Sequence, residues 1–309
     1  MSLDSLREML RAASAVPLHD RSVAEARLVQ AAEPTDPVAP DDLEVTELAS
    51  PVPIRLFRPR SPDPVPVCVW FSGGGWVLDT RAASESSCRR LARETPCAVA
   101  LVGYRLAPEH RFPVPLEDCF AATGYVVADG ATNGLDARRI AVGGTSAGGN
   151  LAAAVALLAR DRPGVRLAAQ ILVYPALLHG ADTASMRESY APGELDRRGV
   201  DWCWSHYLAS AADGLDPLAS PLLADDLRGL PRRSCSPRSS IHSATRVRCT
   251  HSGSRLRAFE PTTLASTGLR TGSSPRQARW TPHAQRGSSP PRFSGGHSSP
   301  ETGRGTIPE

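Results

Sequence analysis

The hydrophobic positions of this chain change period several times and then stop. Near the N-terminus Leu3, Leu6, Met9 and Leu10, then Val23, Ala24 and Leu28, recur at helical spacing, before a Pro- and Asp-rich link at 33–42. Leu43 to Phe57 reads as two β segments broken at Ser50-Pro51, and Val65 to Phe71 is a buried-strand run. Ala82 to Thr95 then predicts a helix, Cys97 to Tyr104 a strand, Leu116 to Ala128 a helix and Arg139 to Gly143 a short strand. Leu151 to Arg160 predicts a strong helix and Leu167 to Val173 another strand. Strands alternating with helices at this spacing predict an α/β fold with a doubly wound, mostly parallel sheet. Residues 183–212, with Trp202, Trp204 and Tyr207, read as amphipathic and helical, and no internal repeat is visible.

After Pro231 the pattern ends. Residues 232–309 hold 15 Ser and 13 Arg among 78 positions, with no Asp and three Glu, a balance of +10, whereas residues 1–231 carry −7. Such a composition cannot bury enough surface to offset chain entropy, so 232–309 is expected to be a disordered Arg/Ser/Pro-rich tail. All 35 basic residues are arginine, which points to GC-rich coding.

The remaining composition excludes several classes. At 309 residues, 41% hydrophobic and 22% charged, the chain fits a soluble globular protein. No apolar run approaches the ~20 residues of a membrane helix. The N-terminus lacks a signal-peptide pattern, so a cytoplasmic location with no membrane partner is expected. The seven cysteines (68, 88, 97, 119, 203, 235, 249) form neither a metal-type pair nor a disulfide framework, and no metal or cofactor is expected. The basic tail lacks repeated RS or RGG units, and its only aromatics are Phe259, Trp280 and Phe293, which argues against a nucleic-acid partner.

Two glycine-rich segments carry candidate chemistry. Gly144-Thr145-Ser146-Ala147-Gly148 reads as a G-x-S-x-G elbow between a strand and a helix, presenting Ser146 as a nucleophile. Ser72-Gly73-Gly74-Gly75-Trp76 follows the strand 65–71. With the N–H of Ala147, the amides of Gly73 and Gly74 are candidate donors to a developing oxyanion. The plainer alternative for the second segment is a glycine-rich turn.

Four stretches, FSGGGWV (71–77), YRLAPEHRFPVPLEDC (104–119), GGTSAGGN (143–150) and DPLASPLLADDLRGLP (216–231), make residues 65–231 resemble the hormone-sensitive-lipase-like (family IV) carboxylesterases of the α/β-hydrolase superfamily. The resemblance implies the α/β-hydrolase fold, an esterase with a Ser–Asp–His triad, and a helical cap. On that basis 1–42 is cap helices and linker, and 43–231 is an incomplete core with a cap insertion near 183–212. The family has a His where Ser72 stands. Tyr104-Arg105 and Glu109 to Phe112 read as scaffold beneath the site.

Triad acid and His are not found in this chain. In α/β-hydrolases both follow the serine, acid before His. Asp216-Pro217-Leu218 belongs to an earlier family stretch, His206 to the cap-like region, and His242, His251, His283 and His297 to the tail. The C-terminal strands and helix are therefore expected to be missing, leaving Leu167 to Val173 at an unpaired apolar edge.

The genetic code suggests why. Joining each codon's third base to the first two of the next, Arg232 onward permits ALVLTAEFDPLRDEGALYA, with an acid across Ser240-Ile241. In the same register Leu264 to Ser274 permits RFDGTTHGFF, with a His across Arg270-Thr271. The tail thus reads as out of frame from near Pro231-Arg232. The functional expectation is an ester hydrolase by lineage, acting on small-molecule esters through acyl-Ser146 and inactive as written. The alternative is a non-catalytic small-ligand-binding protein on the same fold.

Overall fold

The computed structural model describes residues 15–35, 42–182 and 195–236. All of them lie within the unit Met1–His251. The strands are β1 (Glu44–Leu48), β2 (Ile54–Arg58), β3 (Val65–Phe71), β4 (Ala98–Val102), β5 (Leu135–Thr145), β6 (Ala169–Val173) and β7 (Arg232–Ser236). They form one sheet in the order β1-β2-β4-β3-β5-β6-β7. β1 and β2 join antiparallel, and β2 meets β4 antiparallel. Every other pairing is parallel. The helices are α1 (Val23–Ala32), α2 (Arg81–Glu94), α3 (Val114–Asp129), α4 (Ala147–Asp161) and α5 (Arg197–Tyr207).

Because strand side chains alternate between faces, β3 divides the core. Val67, Val69 and Phe71 pack with Leu116 of α3 and Leu151 of α4, while Cys68 and Trp70 pack with Cys88 and Ala92 of α2. This two-sided burial explains why β3 and β4 are almost wholly apolar. α4 is the most enclosed helix: Ala147 to Leu158 are all buried, and its small residues let it lie close to the sheet. α1 opens with a reciprocal cap: Ser22 N–H donates to Glu25 at 2.8 Å, and Glu25 N–H donates to Ser22 Oγ at 3.2 Å.

Three boundaries differ from the sequence pattern. β5 starts at Leu135, not Arg139, because Leu135 pairs with Val65 across a register irregularity. α4 starts at Ala147, so its glycine-rich first turn belongs to the helix. Most important, the sheet does not end at β6. Arg232–Ser236 runs parallel to Ala169–Val173, which corrects the expectation of an unpaired β6 edge and of a structureless segment from residue 232. Main-chain pairing requires an extended backbone, not apolar side chains, so a polar segment satisfies it. The rest of that expectation falls on 237–309, outside the described residues. Among the described residues no helix is long and apolar enough to cross a membrane.

Candidate active site

Ser146 sits where β5 ends and α4 begins, at φ 53° and ψ −117°, a strained backbone for a residue with a Cβ. The turn is held from three directions. Ser146 N–H donates to Val173 O at 2.9 Å, at the tip of β6. Its own carbonyl accepts from Asn150 N–H at 3.0 Å and Ala176 N–H at 3.2 Å. The flanking glycines are steric necessities: a Cβ on Gly148 or Gly144 would come under 3.0 Å from the Phe71 carbonyl oxygen. The side chain of Ser146 is half-buried, and among the described residues its Oγ has no hydrogen-bond partner.

Asn150, which the sequence pattern gave no role, locks the same region. Fully buried, its Nδ2 donates to Ala176 O at 2.8 Å and to Ala219 O at 2.7 Å. It thereby ties the first turn of α4 to the loop after β6 and to the segment 216–223. The hint was its place one turn after Ser146, but its acceptors are 26 and 69 residues away.

The Ser72–Trp76 loop leaves the C-terminal end of β3 beside the Ser146 turn. A Cβ on Gly73 would lie 3.5 Å from Ser146 Cβ, so the two segments touch. Tyr104 Oη donates toward Ser72 O at 2.8 Å and Gly73 O at 3.1 Å. A trans peptide places N–H opposite the preceding C=O, so the amides of Gly73 and Gly74 point away from Tyr104. Neither amide has a hydrogen-bond partner among the described residues, nor has the first-turn N–H of Ala147. Burial raises the Tyr104 phenol well above its ordinary range, which keeps it a neutral donor. Ser72, where the family resemblance implied His, is buried and contributes this accepting carbonyl.

Behind the loop stands an aromatic block. Trp76 stacks on Tyr207 with centroids 4.3 Å apart and planes 5° from parallel, and contacts Trp204 at 4.3 Å. The segment 104–113 braces it: Ala107 N–H donates to Trp76 O at 2.9 Å and Phe112 N–H to Tyr207 O at 2.8 Å. Arg27 of α1 completes the brace. It donates to Val77 O at 3.0 Å and Ala107 O at 2.9 Å, and grips Glu109 with two 2.7 Å bonds. Those bonds pull the Glu109 carboxyl down to about 2.

A cavity of about 220 Å³ opens beside Ser146, lined by Gly74 and Gly75 and by the apolar side chains of Leu18, Val29 and Leu195 among others. Cys203 of α5 also lines it, and burial pushes its thiol up to about 12, so it stays protonated. No histidine among the described residues is bonded to Ser146. His206 Nδ1 lies 2.8 Å from Trp202 O of its own helix, and the His179 ring stands edge-on to Trp204. Asp216 caps its own turn, accepting from Leu218 N–H at 2.8 Å. His242, His251, His283 and His297 lie outside the described residues. Among the described residues no group of three His, Cys, Asp or Glu side chains is placed to hold a metal.

A serine on a strand–turn–helix elbow, facing a glycine loop at the C-terminal edge of a doubly wound sheet, defines the serine-hydrolase plan of the α/β-hydrolases. Comparison with known proteins agrees: residues 68–234 match the alpha/beta hydrolase fold family, and the chain belongs to it. It is 38% identical over 195 residues to the carboxylic ester hydrolase LipN of Mycobacterium tuberculosis, covering 61% of this chain and 52% of that protein. It is 36% identical over 207 residues to an arylesterase of Saccharolobus solfataricus, covering 66% and 67%. A hyperthermophilic esterase from the archaeon Pyrobaculum calidifontis shares its fold with a TM-score of 0.63 at 34% identity, covering 76% of this chain and 79% of that one. The chain thus spans between about half and two thirds of the length of these two curated relatives.

Proposed function

We propose that this chain is a carboxylic ester hydrolase by descent, with Ser146 as nucleophile and the N–H groups of Gly73, Gly74 and Ala147 as oxyanion donors. As it stands, it turns over small-molecule esters far more slowly than an intact serine esterase, with only the residual catalysis of binding and the oxyanion donors. The observation that carries the reading is the contact between the Ser146 turn and a loop whose two glycine amides point away from the Tyr104 clamp. In such a reaction Oγ bonds to the ester carbonyl carbon and its proton passes to a base, which returns it to the departing alkoxide. Water then repeats the sequence to release the acid. Among the described residues no base holds the Oγ proton. In serine hydrolases, losing triad members lowers turnover on the order of 10⁴–10⁶-fold.

The test is hydrolysis of p-nitrophenyl butyrate by the purified chain and by Ser146→Ala. The two are expected to agree within about tenfold, because the remaining catalysis comes from binding and the oxyanion donors. Saturable turnover at ordinary esterase rates, abolished by Ser146→Ala, overturns the claim of inactivity.

The cavity beside Ser146 supports a second reading, a non-catalytic pocket for small acyl or hydrophobic ligands. A fluorophosphonate probe separates the two. Modification of Ser146 favours a residual nucleophile; binding of an ester analogue with no modification favours the pocket.

A further inference from the structure

Beyond lineage, the C-terminal edge of the sheet points to where the missing groups went. β7 takes the slot of a parallel strand beside β6, yet its sequence is Arg-Arg-Ser-Cys-Ser, the most polar of the seven strands. Parallel strands covered on both faces are apolar. On the face that α2 covers further along the sheet, Ala141 of β5 and Ile171 and Val173 of β6 remain only half-buried. The slot and its face are thus made for apolar neighbours that the described residues do not supply.

We propose that the coding sequence carries a net one-nucleotide shift at codons 231–232, and that the displaced register encodes both the carboxylate and the imidazole that Ser146 lacks. In that register the codons from Arg232 to Pro237 permit A-L-V-L-T, an apolar and β-branched strand for the slot that β7 occupies. In this stretch the written codons fix the second and third bases of a displaced codon unless the following residue is Arg or Ser, which have two codon boxes each. That second choice arises at nine of the nineteen codons from Arg232 to Thr250. An Asp is permitted across Ser240-Ile241, a few codons beyond Ser236, where β7 ends. Because β7 is parallel to β3 and β5, the chain leaving its C-terminal end starts at the edge that carries Gly73 and Ser146. The His across Arg270-Thr271 comes about thirty codons later, enough for the crossover of a dozen or more residues that returns a chain to the same edge. The family match ends at residue 234, within three codons of the proposed shift.

The proposal rests on Ser146 being the nucleophile, and the test separates the two claims. The displaced Asp requires G as the third base of codon 240, and the displaced His requires C as the third base of codon 270. Resequenced coding DNA is expected to show both; any other base at either position overturns the shift and leaves the reading of Ser146 standing. Inserting one nucleotide between codons 231 and 232 is then expected to yield a protein that hydrolyses p-nitrophenyl butyrate at least about 10³-fold faster than the present chain. Replacing the restored Asp by Asn or the restored His by Ala is expected to remove that gain, and inserting two nucleotides to give none. A folded repaired protein that is inert, and whose Ser146 takes up no fluorophosphonate, overturns the role of Ser146 and with it the proposal.

Discussion

Ser146 and β7 lie two strands apart in one sheet and are built on opposite terms. The Ser146 turn is specified atom by atom: a strained φ, glycines that admit no Cβ, and backbone bonds to Val173, Asn150 and Ala176. At β7 the main chain is paired over five residues, while the side chains of Arg232 and Ser234 are exposed and that of Arg233 is half-buried. Backbone pairing accepts almost any extended segment, whereas a turn with forbidden volumes accepts very few. Sequence defects are therefore silent in one region and costly in the other.

The largest expected effect comes from breaking the specified region. Gly→Ala inside a helix ordinarily stabilises by up to about 1 kcal/mol. Gly148→Ala, however, forces a methyl against the Phe71 carbonyl and is expected to cost about 3 kcal/mol or more. A fall in the urea midpoint at unchanged slope measures it, and an unchanged midpoint would show that the close approach does not constrain this turn. Asn150→Ala comes next. It leaves the carbonyls of Ala176 and Ala219 without their buried donor, at about 2–3 kcal/mol by the same measurement.

These two positions also mark how far the sequence was readable. The G-x-S-x-G pentapeptide announces its own geometry because its constraint is local: strand before, helix after, no room between. β3, β4 and α4 were equally plain, since an apolar run or an Ala/Leu-rich period reports burial directly. Asn150 and the Arg27–Glu109 pair were not readable, because their meaning lies in contacts with remote segments; Arg27 reaches Val77, 50 residues on. β7 ran against the pattern for the reason given above: its pairing is made by backbone, and side-chain periodicity does not record it.

A substitution at β7 sharpens the contrast from the other side. Ser234→Val places a β-branched residue in a paired strand opposite Ile171, and is expected to be neutral or to stabilise by about 0.5–1 kcal/mol. The urea midpoint reads this too. A loss above about 1 kcal/mol, outside the range of ordinary surface changes, would mean that the polar sequence of β7 is itself selected, and would break the comparison.

The smallest effect concerns the brace between α1 and the glycine loop. Arg27's hydrogen bonds hold the Glu109 carboxyl down to about 2, below the ~4.3 of an unfolded glutamate. A carboxyl depressed in the folded state contributes stability in full above the unfolded value. That contribution is lost as pH falls from about 4 toward 2. The side chains of Arg27 and Glu109 are 32% and 54% exposed, so solvent screening limits the pair to less than about 1 kcal/mol. Glu109→Gln is therefore expected to lower the unfolding free energy by that small amount at pH 7, with the gap to the parent closing as pH approaches 2. A gap that stays constant across this range would assign the contact to packing rather than charge. The glycine loop keeps its other supports in either case: Tyr104, the Trp76–Tyr207 stack, and the bonds from Arg27 to Val77 O and Ala107 O.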